Sequence, residues 1–179
     1  GSVIHAVSDE QDIRKMGDLY KLIPFTWITM LIGTLALTGF PYMSGYFSKD
    51  GIIEAAFVSH TGGHFYAFYL LVISALLTSF YSWRLIFLTF HGKSKASKDV
   101  LSKIHESPKI MLAPLLILAL CSIFSGYIFV DYFMSHDFEF LWKSSIFLAP
   151  DNHIIEEIHH VPLWVKSVSY THLTLPTNR

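Results

Sequence analysis

The sequence predicts an all-α fold, a fragment of a polytopic membrane helical bundle with three transmembrane helices, the first of them broken at Gly39-Pro41. Three observations predict it. Of the 179 residues, 52% are hydrophobic and only 15% charged, against roughly a quarter charged in an average soluble domain. Apolar runs recur at bilayer length: Leu22 to Ser48 holds no acidic or basic side chain over 27 residues, Ile110 to Val130 none over 21, and His64 to Phe90 has Arg84 as its only certain charge. A spanning helix needs about 20 such residues. Lysine and arginine collect in alternate connectors: Arg14, Lys15 and Lys21 lie in 9–21, five lysines lie in 91–109, and 59–63 holds neither.

The opening Gly1-Ser2-Val3-Ile4 lacks the basic start, long apolar region and cleavage site of a signal peptide, and no Met initiates it. The chain is therefore expected to be cut at its front. The expected spans are about 22–58, 64–90 and 109–133. The first is too long for one straight helix and is interrupted at Gly39-Phe40-Pro41 and again at Gly45. If 22–40 and 46–58 were separate spans, the lysine-rich 91–109 loop would lie opposite the basic 9–21 segment, which the positive-inside rule disfavours. As two halves of one broken helix, they leave both basic segments on the cytoplasmic side. The 59–63 turn and the acidic 134–157 segment then face outside.

The break carries the most chemistry. Pro41 removes a backbone donor, and freed carbonyls within a membrane are tolerated only against protein or a water-filled cavity. Gly45-Tyr46-Phe47-Ser48-Lys49-Asp50 follows directly. An intramembrane charge costs at least about 2.5 kcal/mol on insertion scales, so it marks a partner or a task. A lysine in a low-dielectric site can exchange its proton near neutral pH, which makes Lys49 the leading candidate for proton transfer. Asp50 is placed to tune it or pass protons on, and Glu54, one turn later, shares a helical face with Asp50. A surface loop with Lys49 and Asp50 solvated is the plainer alternative. Arg84 either pairs with Asp50 or Glu54 or snorkels to the head groups.

Other residues carry less. Cys121 sits in an apolar run and reads as a small hydrophobe. His153, Glu156, Glu157, His159 and His160 match no metal signature, and His136 and Asp137 stand just past the third span, so no metal site is assigned. The dispersed lysines and a net charge of -1 give no basic stripe for nucleic acid. A single Cys and no Gly-rich phosphate loop leave no seat for an iron-sulfur cluster or nucleotide.

Several blocks carry a family likeness: Glu10-Gln11-Asp12-Ile13-Arg14-Lys15-Met16-Gly17, Leu35-Ala36-Leu37-Thr38-Gly39-Phe40-Pro41, Gly45 to Asp50, and Ser79-Phe80-Tyr81-Ser82-Trp83-Arg84 leading to Phe90-His91-Gly92. In this order the chain resembles the subunit L / chain 5 family of NADH-quinone oxidoreductase, the antiporter-like, proton-translocating membrane subunits of respiratory complex I. The resemblance covers roughly residues 1–168, a fragment of the antiporter-like proton-translocation domain matching the twelfth to fourteenth helices of a fourteen-helix core. Residues 169–179 do not resemble the family's continuation and are expected to be a frame or assembly artefact. Gly17-Asp18 stands where a Gly-Gly pair is common in the family, and Gly51 where many relatives carry an acidic residue.

The resemblance implies that Lys49 lies at the exit of the proton path, with Asp50 beside it and Arg84 on the next helix. It implies no cofactor in this chain, with NADH, flavin, iron-sulfur clusters and quinone in other subunits. The partners it implies are the other membrane-arm subunits, the lipid bilayer and protons. The implied location is a bacterial plasma membrane, with the mitochondrial inner membrane as the alternative. Subunits of multisubunit sodium/proton antiporters and membrane-bound hydrogenases share the pattern and give a second reading. A truncated fragment, inactive alone, is a third.

Overall fold

A computed structural model describes residues 1–94, 101, 104–134, 142–143, 145, 153–158, 160–162 and 165. The tail at 169–179 and His136, Asp137 and His159 lie outside these, as does the Glu156 side chain. Every regular element among the described residues is helical, as the sequence predicts: α1 (Ser2–Ala6), short 3-10 turns at Ile13–Lys15 and Leu19–Lys21, α2 (Pro24–Thr38), α3 (Ser44–Val58), α4 (His64–Ile86) running into a π-helical turn (Phe87–His91), α5 (Lys109–Met134) and α6 (Ile154–Ile158).

At 1.5 Å per residue, the 23 residues of α4 and 26 of α5 reach about 34 and 39 Å, enough to cross a hydrocarbon core of about 30 Å. The 15 residues each of α2 and α3 reach only about 22 Å. Neither α2 nor α3 is long enough to cross such a core alone. Apolar side chains such as Ile73, Leu77, Ile117, Leu118 and Ile128 are exposed along α4 and α5. Such rows suit a lipid or helix neighbour rather than water.

The chain divides into two compact units. The first comprises Gly1–Leu35 with Phe80–Cys121. Its core is Ala6, Val7, Met16, Leu19, Ile23, Ile86 and Phe90, so the N-terminal segment packs against the end of α4 and its π-turn. Gly17 makes this approach possible: its φ is +144°, and a Cβ there would overlap the Lys93 carbonyl. His91 stacks on Tyr20 at 5.2 Å and meets the edge of Trp27 at 5.7 Å.

The start of α2 shows how a distant residue completes a helix. Pro24 occupies the first turn, where its missing N–H leaves no bond unmade. The Glu106 carboxylate accepts from the Phe25 N–H (3.0 Å), the Thr26 N–H (3.3 Å) and the Thr26 hydroxyl. It satisfies orphan donors and sets an anion at the positive end of the helix dipole. Ser2 bonds both Thr26 and Ser107, fastening α1 to the same corner.

In the connector before α2, Arg14 grips Asp12 through Nε and Nη2 at 2.9–3.2 Å. The Arg14 side chain, then its backbone N–H, hold the Asp12 carboxyl down to about 2. Lys15 bonds Glu10 at 3.0 Å.

The second unit comprises Ala36–Ser79 with Ser122–Arg179. Ile53 of α3, Phe68 and Ala75 of α4, and Val161 and Val165 form its core. This packing turns one face of α3 inward and carries Asp50 and Glu54 with it.

Candidate functional site

The site is built around the interruption between α2 and α3. Gly39 ends α2 at φ +80°, a conformation that costs glycine little and other residues more. Pro41 then prevents helical continuation, and Tyr42 also adopts a positive φ, +67°. Met43 is extended and offers no side-chain cap, so α3 begins on backbone bonds, including Tyr46 N–H to the Met43 carbonyl at 3.0 Å.

The halves do not run end to end. A Cβ on Gly45 would overlap the Ala36 carbonyl oxygen, so the first turn of α3 lies beside the last turn of α2. On its other side, the same turn meets α5. A Cβ on Gly126 would stand 2.5 Å from Phe47 Cδ2 and 2.8 Å from Ser44 Cα. The Phe47 ring also meets Tyr127 edge-on, with centroids 5.2 Å apart.

Lys49 follows this anchored turn. Its Cδ lies 3.7 Å from the point a Cβ on Gly39 would occupy, so the aliphatic stem folds back over the break. Its Nζ is buried and has no hydrogen-bond partner among the described residues. Ammonium groups are seldom enclosed so, because their hydration must be replaced. Asp50 and Glu54, at 8% and 9% exposure, occupy the buried face that also presents Ile53. The solvated-loop alternative thus gives way to a helix that buries both carboxylates and encloses the lysine tip.

Arg84 belongs to the first unit and is exposed on α4 near its C-terminal end. In the histidine-bearing segment, Glu157 pairs with His60, Nε2 to Oε2 at 3.2 Å. The sequence analysis weighed Glu157 only within the cluster from His153 to His160. His60, Gly126, Phe47 and Tyr127 were missed as contacts of this region. Gly126 did leave a signal: a lone glycine in a run rich in Ile, Leu and Phe marks close helix approach within a membrane.

Two family models match the chain consecutively: the transmembrane family of NADH:quinone oxidoreductase and Mrp antiporters over residues 1–80, and the NADH dehydrogenase subunit 5 C-terminus over 81–145. NADH-ubiquinone oxidoreductase chain 5 of Marchantia polymorpha is 48% identical over 157 residues, covering 88% of this chain and 23% of that protein. Chain 5 of Chondrus crispus is 44% identical over 171 residues, covering 93% and 26%. NADH-quinone oxidoreductase subunit L of Rhodobacter capsulatus is 51% identical over 144 residues, covering 74% and 20%. The chain spans about a quarter of the length of these relatives. Joined to a helical fold broken at Gly39-Pro41, these matches establish that the chain belongs to the chain 5 / subunit L family of membrane-spanning NADH:quinone oxidoreductase subunits.

Proposed function

We propose that the chain forms part of a proton-translocating membrane subunit of NADH:quinone oxidoreductase, and that Lys49 carries the proton across the break. The single observation that carries this reading is the Lys49 Nζ, enclosed at a helix interruption without a hydrogen-bond partner among the described residues. An ammonium so placed has a proton affinity governed by water entry and by nearby carboxylates, so small helix movements load or unload it. Asp50, its neighbour in the chain, sets the local field, and Glu54 continues the acidic face along α3. The interrupted backbone supplies polar groups that water can solvate within the bilayer.

Arg84 acts on this reading as a fixed cation of the following helix. NADH, flavin, iron-sulfur clusters and quinone belong to other subunits, and the redox reaction there drives proton movement here. The partners are the other membrane-arm subunits and the surrounding lipid. The bacterial plasma membrane is the proposed location, and relatives of both bacterial and mitochondrial type support an energy-coupling inner membrane. The functional domain occupies residues 1–168, with 169–179 outside it.

A second reading, a subunit of a multisubunit cation/proton antiporter, draws on the family description shared with Mrp antiporters over residues 1–80. The subunit 5 match over 81–145 and the names of the relatives favour the first. The deciding experiment measures proton pumping in vesicles holding the complete complex with Lys49→Ala, with NADH oxidation followed alongside. Weakened pumping by an assembled complex supports the assignment. Normal pumping and oxidation make the break structural and remove Lys49 from the path.

A further inference from the structure

The first turn of α3 is packed closely through two glycines: its own Gly45 against the Ala36 carbonyl, and Gly126 of α5 beneath Ser44 and Phe47. The second contact has no role in the reading above. Gly126 is buried although α5 exposes most of its apolar side chains, including Phe124, Ile128 and Phe129. A methyl group at 126 would stand 2.5 and 3.1 Å from Phe47 Cδ2 and Cε2, and 2.8 Å from Ser44 Cα. The ring has some freedom to turn away. The Ser44 backbone does not, so the helices themselves would have to separate.

Lys49 lies two residues after Phe47 on the same helix, about 3 Å further along its axis. A rigid helix passes a shift of its first turn to that position nearly undiminished. The Lys49 tip has no hydrogen bond among the described residues to restore its place, and its stem rests on Gly39. We propose that Gly126, through Phe47 and Tyr127, is a positioning residue that fixes the height and rotation of Lys49 at the break. The functional part of this proposal rests on the proton-path reading of Lys49; the geometric part does not.

The test uses the complete complex carrying Gly126→Ala, with Gly62→Ala as control, because a Cβ at Gly62 meets nothing within 4 Å. Two quantities are read per assembled complex: the maleimide labelling rate of a Lys49→Cys variant in each background, and the midpoint of the pumping-versus-pH profile with Lys49 intact. Labelling is corrected against the same backgrounds retaining Lys49, which removes the contribution of Cys121. Gly126→Ala is expected to change the labelling rate several-fold and to shift the pumping midpoint, while Gly62→Ala changes neither. A contact that only aids assembly would lower the amount of complex and leave both quantities unmoved.

Phe47→Leu, which removes the ring without adding bulk, is the second variant and is expected to alter labelling even if Gly126→Ala fails to assemble. Adding Phe47→Leu to Gly126→Ala should restore only part of the effect, since the Ser44 contact persists. Altered labelling with an unshifted pumping profile would uphold the positioning contact and overturn the proton role of Lys49. Unaltered labelling in both variants would overturn the positioning contact, whatever happens to pumping.

Discussion

The backbone of Gly45 lies so close to the carbonyl oxygen of Ala36 that any side chain at position 45 would overlap it. The interruption is therefore a packed joint, in which α3 starts alongside α2 instead of swinging from a loose loop.

Gly45→Ala tests that joint. The added methyl meets backbone, which has no rotamer to change, so the cost should fall in the range of about 1–3 kcal/mol seen for overpacked cores. A lower thermal-inactivation midpoint of the assembled complex is the expected outcome. Gly33→Ala provides the comparison, because a Cβ there meets nothing within 4 Å and should slightly favour the helix.

Substituting the lysine separates charge from proton exchange. Lys49→Ala should cut pumping far more than Lys93→Ala, whose side chain is exposed beyond the π-turn. Lys49→Arg should be nearly as damaging, since guanidinium stays protonated and cannot release its proton. Proton uptake or release in vesicles, normalised to NADH oxidation, checks both; equal effects at positions 49 and 93 would remove the special role.

Glu106 is the cap of α2 from 80 positions away. Glu106→Ala should destabilise by about 1 kcal/mol, the typical loss of an N-terminal cap, and Glu106→Gln should keep part of it through its remaining carbonyl oxygen. Protease sensitivity of the residues preceding α2 gives the readout, and an unchanged cleavage rate in Glu106→Ala would show that the cap holds nothing in place.

Asp12 offers a pH signature outside the membrane. Its carboxyl is held down to about 2 by Arg14, below the usual value of about 3.9. Because the folded form titrates lower, its contribution is complete above the unfolded value and fades as pH falls toward about 2. A carbon-detected NMR titration of the detergent-solubilised chain should place the Asp12 midpoint near 2 in the intact chain, and closer to the ordinary value in Arg14→Gln. Coincident midpoints would mean that the Arg14 contact does not persist in solution.

Legibility in the sequence followed the range of the physics. The helices and their break were readable at Leu22–Ser48 and Ile110–Val130, because a bilayer demands local apolarity and internal hydrogen bonding along each span. Gly39 and Pro41 act on their own backbone, so the interruption was local too. The i, i+4 spacing of Asp50 and Glu54 set them on one face of α3, although which way that face turned was settled only by Ile53 packing with Phe68, Val161 and Val165.

The sequence alone thus determined the helical class, the interruption between α2 and α3 and the presence of charge beside it, since each depends on neighbouring residues. Only the tertiary structure decided that Glu106 caps α2, that Glu157 meets His60 from nearly a hundred positions away, and that Gly126 lies beneath Phe47. The physical reason is that the choice of partner depends on which distant backbones approach closely enough. No local periodicity encodes that distance.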